Sequence, residues 1–483
     1  MTKIILKKGR EDSLLRFHPW VFSGAIAQIV GEPSEGDIVG VYSQGGVFLA
    51  YGHYQVGSIA VRVLSFAGED VLAPDFWRNM IARALRVRVA AGLASPGALV
   101  ASVAERVSPV ADPITSVAVV RQAHQPVEAP EVVLQQTSPT SPVSERVSPV
   151  AEPVEATDPL FQQTSPTIEA PSCLVRPAHQ PASTNCYRLI HGEGDGLPGL
   201  IIDYYDGVCV MQAHSVGMFR AKGAICEALK SVYGPSLKAV YDKSSGTAPF
   251  KAGLDLVDGY LYRSEGFSDD EQVVLENGHR FFVNWTEGQK TGFFLDQREN
   301  RALVGRYSRG RNVLNLFCYT GGFSVYALGN GAVHVDSVDS SRKAIDMVER
   351  NIALNGFDSS LHTGYCTDAI DFLHKVPEDK YDLMIVDPPA FAKHRGALNN
   401  ALRAYQRLNA AAISKVASGG LVFTFSCSQV VDKEAFALAV FSAAAQTGRS
   451  VRILDRLNQP ADHSVNIYHP EGEYLKGLLL YVE

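Results

Sequence analysis

The 483-residue sequence predicts an α/β protein whose C-terminal part is a doubly wound sheet with an antiparallel last strand. From Asn312 onward, apolar strand-like runs alternate with helical stretches. The final run, EYLKGLLLYVE, follows without a helix and is expected to pair as a hairpin. A small β module and an α+β module precede this sheet. The predicted strands of the sheet are 313–317, 334–338, 361–365, 381–386, 421–426 and 451–456.

Residues 1–72 form the first module, in which short β-like runs alternate with glycine-rich breaks. Its opening edge is basic, with Lys7, Lys8 and Arg10. Such an edge suits a solvated strand kept soluble by charge, and it also suits contact with nucleic-acid phosphates. Residues 73–91 then have the apolar spacing of a connecting helix.

Residues 92–184 differ in composition, with 14 of the 25 prolines and near-copies of short phrases such as ERVSPVADP and ERVSPVAEP. We expect a disordered low-complexity insertion, because this composition cannot bury enough apolar surface to offset chain entropy. It carries four Lys/Arg against nine Asp/Glu, which leaves 40 against 42 elsewhere. The overall charge of −7 therefore says little about partners.

An α+β middle domain is predicted over 185–285, in which CYRLIHGEGDGLPGLIIDYYDGVCVMQAHS supplies two strands around a Gly/Pro turn. Asn277-Gly278 marks a hairpin near its end. The remaining residues, 286–483, contain the doubly wound sheet.

Composition excludes several classes of protein. There is no run of about 18 apolar residues and no apolar signal-peptide core, so we expect a cytoplasmic protein without a membrane segment. Seven cysteines without a C-x-x-C pair argue against a disulfide framework, and with histidines that lack ligand spacing they predict no metal site.

The stretch Asn312–Asp339 predicts a nucleotide-type site: a buried strand, the turn Thr320-Gly321-Gly322, a short helix and a second strand ending on Asp339. Asp339 is placed to accept hydrogen bonds from ribose hydroxyls. Since no G-x-G-x-x-G is present, a phosphate-free adenosine cofactor fits better than a dinucleotide, and S-adenosylmethionine is the common one.

Ligands of such sheets lie beyond the carboxyl ends of the strands. Acids follow three consecutive strands there, and we assign Asp339 to ribose, Asp368 to the adenine amine and Asp387 to the substrate, although Asp368 is also a good helix N-cap. The loop with Asp462 and His463 is expected at the same crevice. The candidate cofactor residues are Phe317, Tyr319, Thr320, Gly321, Gly322, Asp339, Ser340, Asp368 and Ala369.

Two motifs on the other side of the crevice carry the chemistry. Asp387-Pro388-Pro389 is a rigid loop whose prolines donate no N–H, and Phe391 is available to stack on a base. Cys427, between two serines after the fifth strand, suits a thiol nucleophile. A strand-terminating turn and an inert buried cysteine are the plain structural alternatives.

With these residues assembled, the chain resembles the PUA-domain class I methyltransferases typified by the 23S ribosomal RNA cytosine-5 methyltransferase. The resemblance implies an N-terminal PUA-like RNA-binding domain and a C-terminal S-adenosylmethionine-dependent domain, and it makes residues 92–184 a departure from the family. The matching phrases are HPWVFSGAI, HGEGDGLPGLIID, GQKTGFFLDQRENR, VLNLFCYTGGFSVYA, VDSS, VDPPAF, SCS and PEGEYLKG.

The resemblance implies a mechanism and further site residues. The Cys427 thiolate would add to cytosine C6 while Asp387 holds or protonates the N3/N4 edge. Asp296 and Arg298, in GQKTGFFLDQRENR, join the cofactor candidates. Ribosomal RNA is the implied partner, and a homodimer is compatible with it. The candidate substrate-binding residues are Pro388, Pro389, Phe391, Lys7, Lys8 and Arg10.

Two alternatives remain open at this point. D-P-P-x-F also resembles the motif of base-nitrogen methyltransferases, which need no nucleophile. The chain could instead be an RNA-binding assembly factor with an idle methyltransferase domain. The group that removes the C5 proton is not apparent from the sequence.

Overall fold

The computed structural model of the protein describes residues 1–66, 69–95, 184–249, 253–392 and 394–483. Most of the predicted insertion at 92–184, including Cys173, lies outside the described residues. None of the helices in the described ranges combines the length and apolar character that crossing a membrane requires.

The N-terminal module is a six-stranded sheet around its own small core. Its elements are β1 (Lys3–Leu6), α1 (Asp12–Leu15), β2 (Trp20–Phe22), β3 (Ile26–Val30), β4 (Ile38–Tyr42), β5 (Phe48–Tyr54) and β6 (Ile59–Phe66). The strand order is β2-β6-β5-β4-β1-β3, and β1 pairs with β4 in parallel. Ile4, Val39, Val41 and Val61 are fully buried between these strands and hold the module together.

A middle layer of five strands and three helices follows. Its elements are α2 (Phe76–Ala90), β7 (Cys186–His191), β8 (Leu200–Tyr205), β9 (Val208–Ala213), α3 (Val216–Arg220), α4 (Lys222–Tyr233), β10 (Ala239–Asp242) and β11 (Gly259–Arg263). The sheet order is β11-β10-β9-β8-β7. The segment predicted as two strands is three, because the Tyr205-Asp206-Gly207-Val208 corner reverses the chain into β9.

Helix α2 shares its core with the middle sheet. Phe76, Met80, Ile81 and Leu85 pack against strands β7 to β9, as the helical periodicity predicts. Arg88, a charged residue near the end of this helix, is fully buried. Its guanidinium pairs with both carboxylate oxygens of Asp195 and donates to three backbone carbonyls, so its burial is compensated.

A two-stranded hairpin, β12 (Glu271–Glu276) and β13 (His279–Asn284), turns at Asn277-Gly278 as predicted. Both turn residues have positive φ, 49° and 82°, which a type I′ turn requires. The hairpin leads into the loop of residues 285–297.

The C-terminal sheet has seven strands in the order β16-β15-β14-β17-β18-β20-β19. These strands and the helices around them are α5 (Arg298–Ser308), β14 (Asn312–Leu316), α6 (Gly322–Gly329), β15 (His334–Asp339), α7 (Arg342–Leu354), β16 (His362–Cys366), α8 (Ala369–Lys375), β17 (Tyr381–Val386), α9 (Leu398–Lys415), β18 (Val416–Ser426), α10 (Lys433–Thr447), β19 (Val451–Asn458) and β20 (Lys476–Val482).

The predicted fold class is confirmed in this sheet. Strand β20 is antiparallel to both neighbours and lies between β18 and β19, whereas the other strands are parallel. The order reverses between β14 and β17, so the crevice between them opens at the carboxyl edge. The turns after β14 to β18 therefore meet around one cavity.

Candidate active site

A cavity of about 270 Å³ lies at the carboxyl edge of the C-terminal sheet. The turns after β14, β15, β16, β17 and β18 line it, and the loop between β13 and α5 closes its remaining side. Predicted site residues that line the cavity are Phe317, Tyr319, Thr320, Gly322, Asp339, Ser340, Asp368, Ala369, Asp387, Pro388, Pro389, Cys427 and Asp296.

The turn after β14 has an unusual backbone. Phe317 and Tyr319 have φ of 57° and 46°, and Gly321 has 78°. Left-handed non-glycine residues cost energy and persist where neighbouring structure holds them. The Tyr319 hydroxyl accepts the Gln289 N–H at 3.0 Å and donates to the Gly292 carbonyl at 3.3 Å, which ties this turn to the loop before α5.

The two glycines of the turn also avoid steric clashes with neighbouring side chains. A Cβ on Gly321 would lie 2.8 Å from a Val348 methyl, and one on Gly322 would lie 2.9 Å from Arg301 Cδ. The close approach that requires glycine here is therefore to helices α7 and α5. Gly322 lines the cavity, whereas Gly321 does not.

Asp339 is oriented by two backbone donors. Its carboxylate accepts the Tyr319 N–H at 3.1 Å and the Ser341 N–H at 2.9 Å, so it joins the turns after β14 and β15. Asp368 accepts the N–H groups of Ile370 and Asp371 through one oxygen and caps α8. Each carboxylate retains lone pairs for a ligand in the cavity.

The cavity suits a phosphate-free adenosine cofactor. Phe317, Val338, Ala369 and Pro389 supply apolar wall, Asp339 and Asp368 are acceptors for hydroxyl and amine donors, and Lys290 can pair with a carboxylate. This combination of apolar walls, acceptor carboxylates and a lysine matches the adenosine and amino-acid parts of S-adenosylmethionine.

The proposed catalytic pair lies at the ends of β17 and β18. Asp387 accepts a hydrogen bond from Gln297 Nε2 at 3.0 Å, and burial together with the Asp296 charge raises its pKa to about 7. Burial and then the Asp387 charge raise the pKa of the Cys427 thiol to about 11. At neutral pH the thiol is therefore protonated and needs a base.

Asp296 is the second buried acid of the cavity. Burial by itself would raise its pKa, but Lys290, His463 and the Tyr474 hydroxyl outweigh burial and lower it. Tyr474 donates to Oδ2 at 2.7 Å, whereas Oδ1 is buried without a hydrogen-bond partner among the described residues.

Several predicted site residues lie elsewhere. Arg298 has no exposed surface and pairs with Asp462 at 2.9 Å and with Glu276 at 3.5 Å, away from the cavity lining. Asp462 and His463, expected at the crevice, are buried in the same ionic cluster. Phe391 packs on Tyr405 with ring centroids 4.7 Å apart. Lys7, Lys8 and Arg10 are exposed, but they lie in the turn between β1 and α1 and not on a sheet edge as predicted, because β1 pairs with β4 on one side and β3 on the other. Lys7 Nζ donates to the Gly24 carbonyl.

Lys290, Gln297 and Arg301 also line the cavity, and none of them is among the site residues predicted from the sequence. All three belong to GQKTGFFLDQRENR, one of the phrases that carry the family resemblance. Their membership of that phrase is the sequence signal that could have identified them. Lys290 has a φ of 50°, the backbone strain of a residue held in place by its surroundings.

One group of histidines does converge in the described residues. His18, His469 and Glu471 place ligand-type atoms within 4.8 Å of one another. His18 Nδ1 accepts the Trp20 N–H at 3.3 Å, which leaves the ring proton on Nε2, the nitrogen that faces Glu471 at 4.0 Å. In that tautomer His18 Nε2 is a hydrogen-bond donor, and the absence of a metal site stays a prediction from the sequence.

The fold and the cavity define a class of protein, the S-adenosylmethionine-dependent methyltransferases. The family profile described as S-adenosylmethionine-dependent methyltransferase matches residues 262–479, and that of the PUA-like domain matches residues 4–66. Among solved structures, SMU.776 complexed with SAH superposes with a TM-score of 0.70 at 19% identity, over 100% of both chains. A methyltransferase structure from Streptococcus mutans gives 0.68 at 20%, also over 100% of both.

The chain belongs to the ribosomal RNA large subunit methyltransferase I family. The Aeromonas hydrophila subsp. hydrophila protein of that name is 33% identical, over 99% of both chains. The Pseudoalteromonas atlantica protein is also 33% identical, over 99% of this chain and 98% of its own. The family resemblance and the S-adenosylmethionine cofactor expected from the motifs are confirmed.

Proposed function

We propose that this protein methylates C5 of a cytosine in 23S ribosomal RNA through a covalent adduct between Cys427 and C6. The relatives are named for the large-subunit ribosomal RNA, which supports the substrate class. The observation that carries the reaction type is that Cys427 and Asp387 line the same cavity as the proposed cofactor residues. A thiol in that position can act as the nucleophile that cytosine C5 methylation requires, whereas methyl transfer to a base nitrogen requires no nucleophile from the protein.

Cytosine C5 is a poor nucleophile, and the chain supplies the means to activate it. S-adenosylmethionine, when bound, supplies an electrophilic methyl group. The Cys427 thiolate forms a bond to C6, which places electron density on C5. After C5 is methylated, its proton leaves, the C5=C6 double bond re-forms, and the C6–S bond breaks to return the thiolate.

Asp387 can accept the proton of the Cys427 thiol. Because the thiol has the pKa of about 11 and the carboxyl the pKa of about 7, the resting pair holds its proton on sulfur. Transfer of that proton to Asp387 creates the thiolate and a carboxylic acid together. The acid can then donate to N3 of the cytosine, which stabilises the adduct.

The base must leave a stack to reach this cavity, so the target is flipped or already unpaired. Pro388 and Pro389 line the side where it would enter, next to Asp387. The PUA-like domain, with its basic turn at Lys7, Lys8 and Arg10, is proposed to bind RNA beyond the target base.

The base-nitrogen alternative has less support. A D-P-P-x-F motif of that kind uses its aromatic residue to stack on the base, and Phe391 packs on Tyr405 and is absent from the cavity lining. The assembly-factor alternative predicts cofactor binding without turnover.

Cys427→Ala tests the proposal, with Cys366→Ala, an exposed thiol, as the matched control. We expect Cys427→Ala to lose 5-methylcytosine formation on 23S RNA while it still binds S-adenosylhomocysteine. Wild type should form a denaturant-resistant complex with transcripts containing 5-fluorocytosine, whose C5 fluorine cannot leave as a proton does. Full methylation by Cys427→Ala would rule out the covalent route.

A further inference from the structure

The reaction proposed above needs a base for the C5 proton, and the cavity offers several acids. Asp339 and Asp368 are bonded to backbone N–H groups at the ends of β15 and β16, on the cofactor side. Asp387 is occupied with the thiol proton and the N3 edge. One acid of the lining, Asp296, has no step in the mechanism so far.

Asp296 has an oxygen free for such a role. Its side chain is only 6% exposed, and Oδ2 is held by the Tyr474 hydroxyl at 2.7 Å. Oδ1 is buried and has no hydrogen-bond partner in the described part of the chain. A buried carboxylate oxygen without a partner is costly, so it persists where a function uses it.

The surroundings keep this carboxylate close to the reacting groups and ionised. Asp296 lines the same cavity as Asp387 and Cys427, and the next residue along the chain, Gln297, donates to Asp387 at 3.0 Å. The Asp296 charge contributes to the raised pKa values of both Asp387 and Cys427. Lys290, another cavity residue, lowers the pKa of Asp296. The pKa of Asp387 is raised and that of Asp296 is lowered because their neighbours differ. Such a difference is expected of two acids with separate proton-transfer roles.

We propose that Asp296, through its unpaired Oδ1, is the base that removes the C5 proton after methylation. Oδ1 takes the proton, the C5–H electron pair becomes the C5=C6 double bond, and the C6–S pair returns to Cys427. The thiolate recovers its proton from Asp387, and Asp296 passes the C5 proton to solvent. One proton is released for each methyl group transferred, so the step balances.

This inference rests on the proposed function, but it assigns Asp296 a role different from cofactor binding, which the sequence resemblance implies. If Asp296 is replaced, the base role and the cofactor-binding role predict that the reaction stops at different steps. A missing base stops the reaction after methylation, with the RNA still attached to Cys427. A missing cofactor contact weakens cofactor binding before any chemistry.

Asp296→Asn tests the assignment, since the amide is isosteric and can still accept from Tyr474 but has no useful basicity. With unmodified 23S RNA transcript and methyl-labelled S-adenosylmethionine, we expect a labelled, denaturant-resistant protein–RNA adduct and product release slowed by about 10²-fold or more. Binding of S-adenosylhomocysteine, measured by calorimetry, should stay within twofold of wild type.

Two variants serve as controls. Tyr474→Phe keeps the carboxylate and should accumulate no adduct, and Asp296→Asn combined with Cys427→Ala should form none. The assignment is overturned if Asp296→Asn turns over normally, if it accumulates no adduct, or if S-adenosylhomocysteine binding weakens tenfold. Failure of wild type to trap on 5-fluorocytosine RNA would instead reject the covalent function itself.

Discussion

At the ends of β17 and β18, the Asp387 carboxyl and the Cys427 thiol share one proton, although their acidities are very different. Burial sets both pKa values, at about 7 and about 11. The proposed active form, thiolate plus carboxylic acid, contains the same number of protons as the resting form. Its fraction is therefore constant between the two pKa values and falls below pH 7, where the pair takes up a second proton.

Wild-type single-turnover methylation should accordingly rise up to about pH 7 and then stay level. Asp387→Asn cannot accept the thiol proton, so its rate should be about 10²- to 10⁴-fold lower at pH 7.5 and should increase with pH up to the highest pH that the RNA tolerates. Rates measured from pH 6 to 9.5 on 23S RNA check this. Profiles of the same shape for both proteins would contradict it.

At the scale of elements, helix α5 is anchored by buried charge. Arg298 begins this helix and pairs with Asp462 from the loop between β19 and β20 and with Glu276 from the β12–β13 hairpin. Arg301, one turn later, makes a two-bonded pair with the same Glu276. The cluster joins three separate segments behind the cavity, and this explains why a motif residue such as Arg298 need not touch ligand.

Arg298→Met should lower the free energy of unfolding by about 3–5 kcal/mol, because buried Asp462 loses its arginine partner and Glu276 keeps only Arg301. Binding of S-adenosylhomocysteine to the folded protein should change less than twofold. Denaturant titration and calorimetry measure the two effects. Arg306→Met, an exposed position on the same helix, is the control and should change neither. A tenfold loss of affinity at unchanged stability would restore a cofactor role for Arg298.

At the scale of the whole molecule, the cavity and the PUA-like sheet are separate parts of the described chain, and the proposed function assigns chemistry to the first and RNA binding to the second. Lys8 and Arg10 are exposed in the turn between β1 and α1 of that sheet, whereas Lys7 is engaged with the Gly24 carbonyl. Free cations of this kind bind phosphates, and their contribution falls as salt rises.

The double variant Lys8→Ala, Arg10→Ala should raise KM for 23S RNA about tenfold and leave kcat unchanged. The slope of log affinity against log salt should fall by about 1.5 to 2, which corresponds to two phosphate contacts. Lys230→Ala, an exposed lysine paired with Glu227 in the middle layer, is the matched control. An unchanged slope of log affinity against log salt would show that Lys8 and Arg10 do not contact RNA.

The sequence by itself was enough for the features that depend on local pattern. Strand and helix alternation after Asn312, the Asn277-Gly278 hairpin and the acids after β15, β16 and β17 follow from residues adjacent in the chain. Because parallel strands bring their carboxyl ends to one edge, these local signals also placed Asp339, Asp368, Asp387 and Cys427 around a single cavity.

Tertiary structure alone decided which charged groups face the cavity and which are buried behind it. Arg88, Arg298 and Asp462 look like solvent or ligand residues in sequence, but partners from distant segments bury and neutralise them. Asp296, a motif neighbour of Arg298, reaches the cavity with an oxygen unpaired. Burial and non-local charge set the pKa values of Asp296 and Asp387, and no local pattern encodes either quantity.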